Sequence, residues 1–206
     1  MTRLRSAAAA LSLATLAAGA ARAGDLAVTL RDARGAPVAD AVVTVDVPGR
    51  KAPARYAQPL RMSQRDQQFA PTLLVVPVGA EVRVINEDKV RHHVYSFSPP
   101  KRFELKLFGR DETHVVRFDK PGAVALGCNI HDNMAAWVKV VDAGYAAVTD
   151  GSGRVVFHDL PAAQAQVRVW KPGLRAPGAQ LRAEVAVPAA GVAARDFTAT
   201  FPPSPR

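Results

Sequence analysis

The chain has 206 residues, 49% of them hydrophobic and 22% charged, with a formal net charge of +9 and a single cysteine. That length and apolar content support a folded protein of one or two domains. One cysteine excludes an internal disulfide, and scattered basic residues with only 6% aromatics do not make the pattern of a nucleic-acid binder.

Arg3 and Arg5 precede an apolar, Ala/Leu-rich run over residues 6–20 that ends in Ala21-Arg22-Ala23, a small-residue cleavage site. This predicts a secretory signal peptide over residues 1–23 and a periplasmic protein. The run is too short to span a bilayer comfortably, so stable membrane insertion is not expected. Beyond it the pattern is β. Leu26, Val28 and Leu30 alternate with small or polar residues, and Ala41, Val43, Val45 and Val47 do the same. Asp32-Ala33-Arg34-Gly35 and Asp150-Gly151-Ser152-Gly153 predict hairpin turns. The Pro- and Gly-containing run at 48–53 reads as a linker. Further strands are predicted over 82–85, 94–97, 115–118, 137–141, 155–157, 167–170 and 183–187. Short strands separated by Gly, Pro and Asp turns point to an all-β protein of sandwiches or barrels.

The one cysteine opens the run Gly127-Cys128-Asn129-Ile130-His131-Asp132-Asn133-Met134. A thiolate, an imidazole and a thioether recur at intervals of three. In a type 1 copper centre two His and one Cys bind in a plane and a Met binds at a longer axial distance. An unpaired cysteine in an oxidising compartment also asks for protection, by burial or by a metal. The missing ligand is a second histidine. Of His92, His93, His114, His131 and His158, the pair His92-His93 stands where a new strand begins after a turn that follows Asn86. A ligand there is held by sheet backbone yet lies near the surface. Either member of the pair can serve. His114 and His158 fall outside the pattern and read as surface residues. Zinc also accepts Cys and His, but its structural sites use four such ligands, and a Met in the fourth place favours copper.

His-His-Val-Tyr-Ser-Phe-Ser at 92–98, together with Gly-Cys-Asn-Ile-His-Asp at 127–132, resembles the cupredoxin (blue copper) family. That family includes plastocyanin, amicyanin and the cupredoxin-type methylamine-utilisation proteins, and the resemblance covers about residues 60–141. It implies a Greek-key cupredoxin β-sandwich or barrel holding one mononuclear copper. By position, His92, Cys128, His131 and Met134 take the ligand places, Asn86 matches the Asn at the strand end, and His93 replaces the Asn that follows the first ligand. The implied role is single-electron transfer between periplasmic redox proteins, a cytochrome or dehydrogenase, with a link to amine oxidation. Two departures bear on partner contact and electronic tuning. Leu126 stands where amicyanin has an aromatic residue, and Asn133 stands where the methylamine-utilisation proteins have Trp.

A second resemblance flanks the first. Thr149-Asp150-Gly151-Ser152-Gly153, Phe157, Leu160-Pro161 and the run ending at Trp170 are similar to the transthyretin-like, carboxypeptidase-regulatory-like β-sandwich. The opening of that family's pattern lies far upstream, as Gly35-Ala36-Pro37-Val38 and the strand over 41–47. The resemblance implies a discontinuous domain of residues 24–50 and 142–206, with residues 51–141 inserted. The alternative is an N-terminal hairpin packed on the middle domain and a separate C-terminal sandwich.

No Gly-rich phosphate loop, GxSxG or HExxH is present, and an enzyme is not expected. Cys128 as a nucleophile with His131 as its base would need a cleft and an orienting third group, and the sequence points to neither. In the electron-transfer reading, Cys128 is the main conduit, His131 the more exposed port, and Met134 the tuning ligand. His93, Asn86 and Asn129 are candidates to orient the ligands by hydrogen bonds. Lys89, Arg91, Lys101, Arg102, Lys106 and Arg110 surround the first ligand in sequence and suit a partner with an acidic docking surface. The competing reading is a copper storage or delivery module, or a non-redox structural protein. The three methionines, Met1, Met62 and Met134, are too few for a Met-rich carrier.

Overall fold

The computed structural model describes residues 23–53, 56–110 and 112–203. The expected signal peptide lies almost wholly outside the described residues. Sixteen strands follow in order: β1 (Ala23–Asp32), β2 (Val42–Asp46), β3 (Arg61–Arg65), β4 (Gln68–Ala70), β5 (Leu73–Pro77), β6 (Ala80–Asn86), β7 (His92–Ser96) and β8 (Phe103–Phe108). Then come β9 (Thr113–Phe118), β10 (Gly122–Cys128), β11 (Ala135–Val141), β12 (Tyr145–Val148), β13 (Arg154–Pro161), β14 (Ala163–Trp170), β15 (Leu181–Val187) and β16 (Val192–Ala199). The only helical element among the described residues is a short 3-10 turn at Pro177–Ala179, and no helix there is long and apolar enough to cross a membrane. The chain is all-β.

The strands form four sheets. Two of them, β13-β1-β16 and β12-β2-β14-β15, are built wholly from the two ends of the described chain. They close on a core of Leu26, Val28, Leu30, Val43, Val45, Val167, Val169 and their neighbours. The alternation seen in sequence points one face of β1 and β2 into this core. The other two sheets, β4-β3-β6-β9 and β5-β11-β10-β7-β8, enclose a second core containing Met62, Phe69, Val84, Val94, Phe118, Leu126, Cys128 and Met134.

The two sandwiches meet along a seam. Val42, Tyr56, Val75, Val141 and Trp170 are buried together there, with Trp137 beside them. This explains why β2 is buried on both faces. Val43 and Val45 enter one core, while Val42 and Thr44 face the seam. Trp137 and Trp170 meet edge to face with centroids 5.7 Å apart, and Lys139 lies over the Trp170 ring at 4.8 Å.

The two turns read from sequence form, but neither joins two strands of one sheet. After Gly35 (φ +85°) the chain returns only as far as the Arg31–Pro37 bridge before β2 crosses to the opposite sheet. After Gly153 (φ +75°) it passes from β12 in one sheet to β13 in the other. At Gly153 the close approach is obligatory, because a Cβ there would stand 2.4 Å from the carbonyl oxygen of Leu30.

Candidate metal centre

Three elements converge at one end of the second sandwich. β7 opens with His92, β10 closes with Cys128, and β7 and β10 pair so that Cys128 lies opposite Val94. The ladder continues one step further, with the Asn129 N–H donating to the His93 carbonyl at 3.3 Å. A tight turn follows, in which the Met134 N–H donates to the His131 carbonyl at 3.0 Å. That turn carries His131 back over the site and drops Met134 into the same buried cluster as Cys128.

The donor atoms of His92, Cys128 and His131 all lie within 4.8 Å of one another. Nδ1 of His92 is 3.7 Å from the Cys128 sulfur, and Nδ1 of His131 is 3.9 Å from it. A single ion bound at about 2.3 Å to sulfur and about 2.0 Å to nitrogen needs donor separations of this size. The cluster therefore fits one metal ion. His92, Cys128 and Met134 are buried, and His131 alone of the four is partly exposed.

His92 and His93 part company because successive strand residues face opposite ways. His92 points inward to Cys128. His93 points to the outer face, where its Nε2 meets Glu104 at 2.9 Å. Asn86 is buried, and its side-chain hydrogen bonds go to backbone groups and not to His92, Cys128 or His131. Its Nδ2 donates to the carbonyls of Val90 (2.8 Å) and Phe108 (3.1 Å), and its Oδ1 accepts from the Asp88 N–H (2.8 Å). It thus fastens the turn that delivers His92. The Asn129 side chain is exposed, and only its backbone joins the site. His158 is exposed, as read from sequence. His114 is not a plain surface residue: it lies half-buried, edge-on to Phe108 at 4.7 Å, because it shares the inward face of β9 with Val116 and Phe118.

Asp88 is the participant that sequence reading missed. Its Oδ2 lies 2.7 Å from Nε2 of His92. The carboxylate also accepts backbone N–H groups of Asp66 and Gln67, residues of the turn between β3 and β4. Burial pushes the Asp88 carboxyl upward, but the Gln67 N–H, the His92 ring and the Asp66 N–H outweigh it, and the acid sits below its ordinary value. An ionised Asp88 fixes the proton of His92 on Nε2 and leaves the Nδ1 lone pair facing the sulfur. The signal was an acidic residue in the turn before β7. Its partners in the β3–β4 turn lie some twenty residues away.

No protein-family model matches the sequence, and no curated protein matches it. Several solved structures align with part of it. The copper-containing nitrite reductase of Thermus scotoductus SA-01 is 27% identical over 41% of this chain and 22% of its own, with a TM-score of 0.38. This chain thus spans less than a quarter of that enzyme. A purple cupredoxin from Nitrosopumilus maritimus is 20% identical over 39% of this chain and 98% of its own, with a TM-score of 0.36. A reduced amicyanin variant is 21% identical over 48% and 98%, with a TM-score of 0.37. These neighbours are cupredoxins and a copper enzyme, and independently the His-Cys-His cluster of this chain fits a type 1 copper site.

Proposed function

We propose that this chain is an exported type 1 copper protein that carries single electrons between redox partners in the periplasm. The observation that supports this most is the convergence of His92 Nδ1 and His131 Nδ1 on the Cys128 sulfur inside a β-frame. Copper, when bound, supplies one-electron chemistry by cycling between Cu(II) and Cu(I). The residues prepare for both states. The Cys128 thiolate and the Met134 thioether favour the reduced ion, and imidazole serves either. Strand pairing fixes His92 and Cys128, so little needs to reorganise during transfer. With His92, Cys128, His131 and Met134 as its ligands the ion would have no open position for a substrate, which argues for a carrier over an enzyme.

His131, the partly exposed ligand, is the port in this reading, with the exposed Ile130 beside it. The partner is a cytochrome or dehydrogenase with an acidic face, steered by Lys89, Arg91, Lys106 and Arg110, and the motif resemblance links the pathway to amine oxidation. We also infer one domain from residues 24–50 and 142–206, interrupted by residues 51–141. The pairing of β1 with β13 and β16, and of β2 with β12 and β14, supports that division.

The test is direct. Cu(II) added to the purified protein is expected to give an intense blue absorption that a reductant bleaches, and Cys128→Ala is expected to abolish it. A colourless complex, or a blue band that survives the substitution, rules out the electron-transfer reading. A transfer rate indifferent to ionic strength rules out the steering residues.

A further inference from the structure

Two side chains in the second sandwich carry buried polar atoms with no partner among the described residues: His114 at its Nε2 alone, and Gln64 at both ends of its amide. Gln64 is fully buried, and among the described residues neither its Oε1 nor its Nε2 has a hydrogen-bond partner. Buried side-chain amides are almost always paired, so an orphan of this kind points to a partner from a metal, water or functional site.

Its place in the fold narrows the choice. Met62, two residues earlier on the same face of β3, belongs to the core, so Gln64 also points inward. Gln64 pairs with Asn86 across the β3–β6 ladder, and its carbonyl accepts the Glu87 N–H at 2.9 Å. It therefore stands level with the turn that delivers His92. The next turn, at Asp66 and Gln67, grips Asp88, the residue that holds His92. Across the sandwich, β4 packs on β11, while His114 on β9 meets Phe108 on β8. The sheets thus face each other with β3 toward β10 and β11. At the ligand end those strands carry Cys128 and, one residue before Ala135, Met134.

We propose that Gln64 is a positioning residue of the metal centre, whose carboxamide hydrogen-bonds to the Cys128–Met134 loop in the metal-loaded protein and sets where that loop rests. The proposal rests on the metal-centre reading above. The loop is the exposed wall of the site, with Asn129, Ile130, Asp132 and Asn133 all exposed, so it is the part free to shift when an ion draws His131 inward. Its backbone offers N–H and carbonyl groups, and its cysteine offers a thiolate. A carboxamide can donate to the thiolate or a carbonyl and accept from an N–H. An apolar side chain at position 64 does none of this.

The test compares wild-type protein with Gln64→Leu and with Gln64→Met. The unbranched Met variant guards against a packing fault peculiar to Leu. Thermal unfolding is followed without metal and with Cu(II), together with copper affinity, the position of the charge-transfer band and the reduction potential. The expected result is a metal-free variant at least as stable as wild type, with copper affinity lower by about tenfold and a displaced band and potential. Variants that bind copper as tightly as wild type, with the same band and potential, overturn the role of Gln64 and leave the copper centre standing. A wild-type protein that gives no blue band overturns the centre, and this proposal with it.

Discussion

The carboxylate of Asp88 holds the imidazole of His92 from behind, Oδ2 to Nε2 at 2.7 Å, while the other ring nitrogen faces the Cys128 sulfur at 3.7 Å. One side chain thus sets both the tautomer and the ring plane of its neighbour. Asp88 is itself fixed by two backbone N–H groups from the β3–β4 turn. His92 is therefore anchored through both sheets, since β3 and β7 lie in different ones. Replacing Asp88 with Ala is expected to weaken copper binding by about 10- to 100-fold, the usual cost of losing a carboxylate behind a metal-ligating His. Equilibrium titration of the variant with copper measures it. Asp88→Asn, which keeps the shape but loses the charge, is expected to fall between wild type and Asp88→Ala.

The vicinal histidines give a sharper contrast. His92→Ala removes a donor from the cluster and is expected to abolish the blue absorption. His93→Ala breaks contacts on the outer face, with the exposed Glu104 and the Tyr95 ring, and is expected to leave the band in place with affinity within a few-fold of wild type. Absorption spectra of the two variants, loaded side by side, decide the assignment. The reverse pattern makes His93 the ligand.

Much of this was legible in the sequence, and the limits are physical. The Cys-x2-His-x2-Met run carries its own spacing, and a strand end followed by a short turn marks the start of β7. Strict alternation exposed β1 and β2. The strands β3, β4, β5, β8, β12 and β16 were harder to see. β3 reads Arg-Met-Ser-Gln-Arg, polar in composition but buried at its three central residues. β8 and β16 are largely exposed, so hydrophobic alternation marks them weakly. Asp88 and Gln64 escaped because their roles depend on pairing between distant segments, which no local pattern records. Which of His92 and His93 faces Cys128 needed the strand's register, since one residue's slip exchanges the faces.

Asn86 is expected to matter more for the fold than for metal chemistry. It satisfies two carbonyls and one N–H inside the protein. Asn86→Ala leaves these groups, one buried and two part-buried, unpaired, at about 1–3 kcal/mol for each that water cannot reach. A loss of about 2–4 kcal/mol in denaturant unfolding is the expected outcome, with the loop before His92 loosened and copper affinity reduced as a consequence. A loss below about 0.5 kcal/mol shows that the turn holds without it.

Lys139 makes the stability of the seam depend on pH. Its residue is 6% exposed, and its ammonium lies over Trp170 between the sandwiches. Burial pulls its pKa down to about 8, Asp142 pulls it back up, and Arg168 adds to the lowering. A base whose folded pKa lies below its unfolded value, near 10.4, destabilises the fold while it stays protonated. That penalty is complete below about pH 8 and is relieved as pH rises toward 10.4, because only the folded form has then released its proton. Discounted for partial screening, the gain is about 1–2 kcal/mol. Lys139→Met removes the titrating group and keeps an unbranched side chain one atom shorter. Wild-type protein is expected to gain stability between pH 7.5 and pH 9.5 relative to the variant, and the variant to be the more stable of the two at pH 7. Parallel curves for the two proteins across that range, measured by urea unfolding, show that the seam does not hold a strained charge.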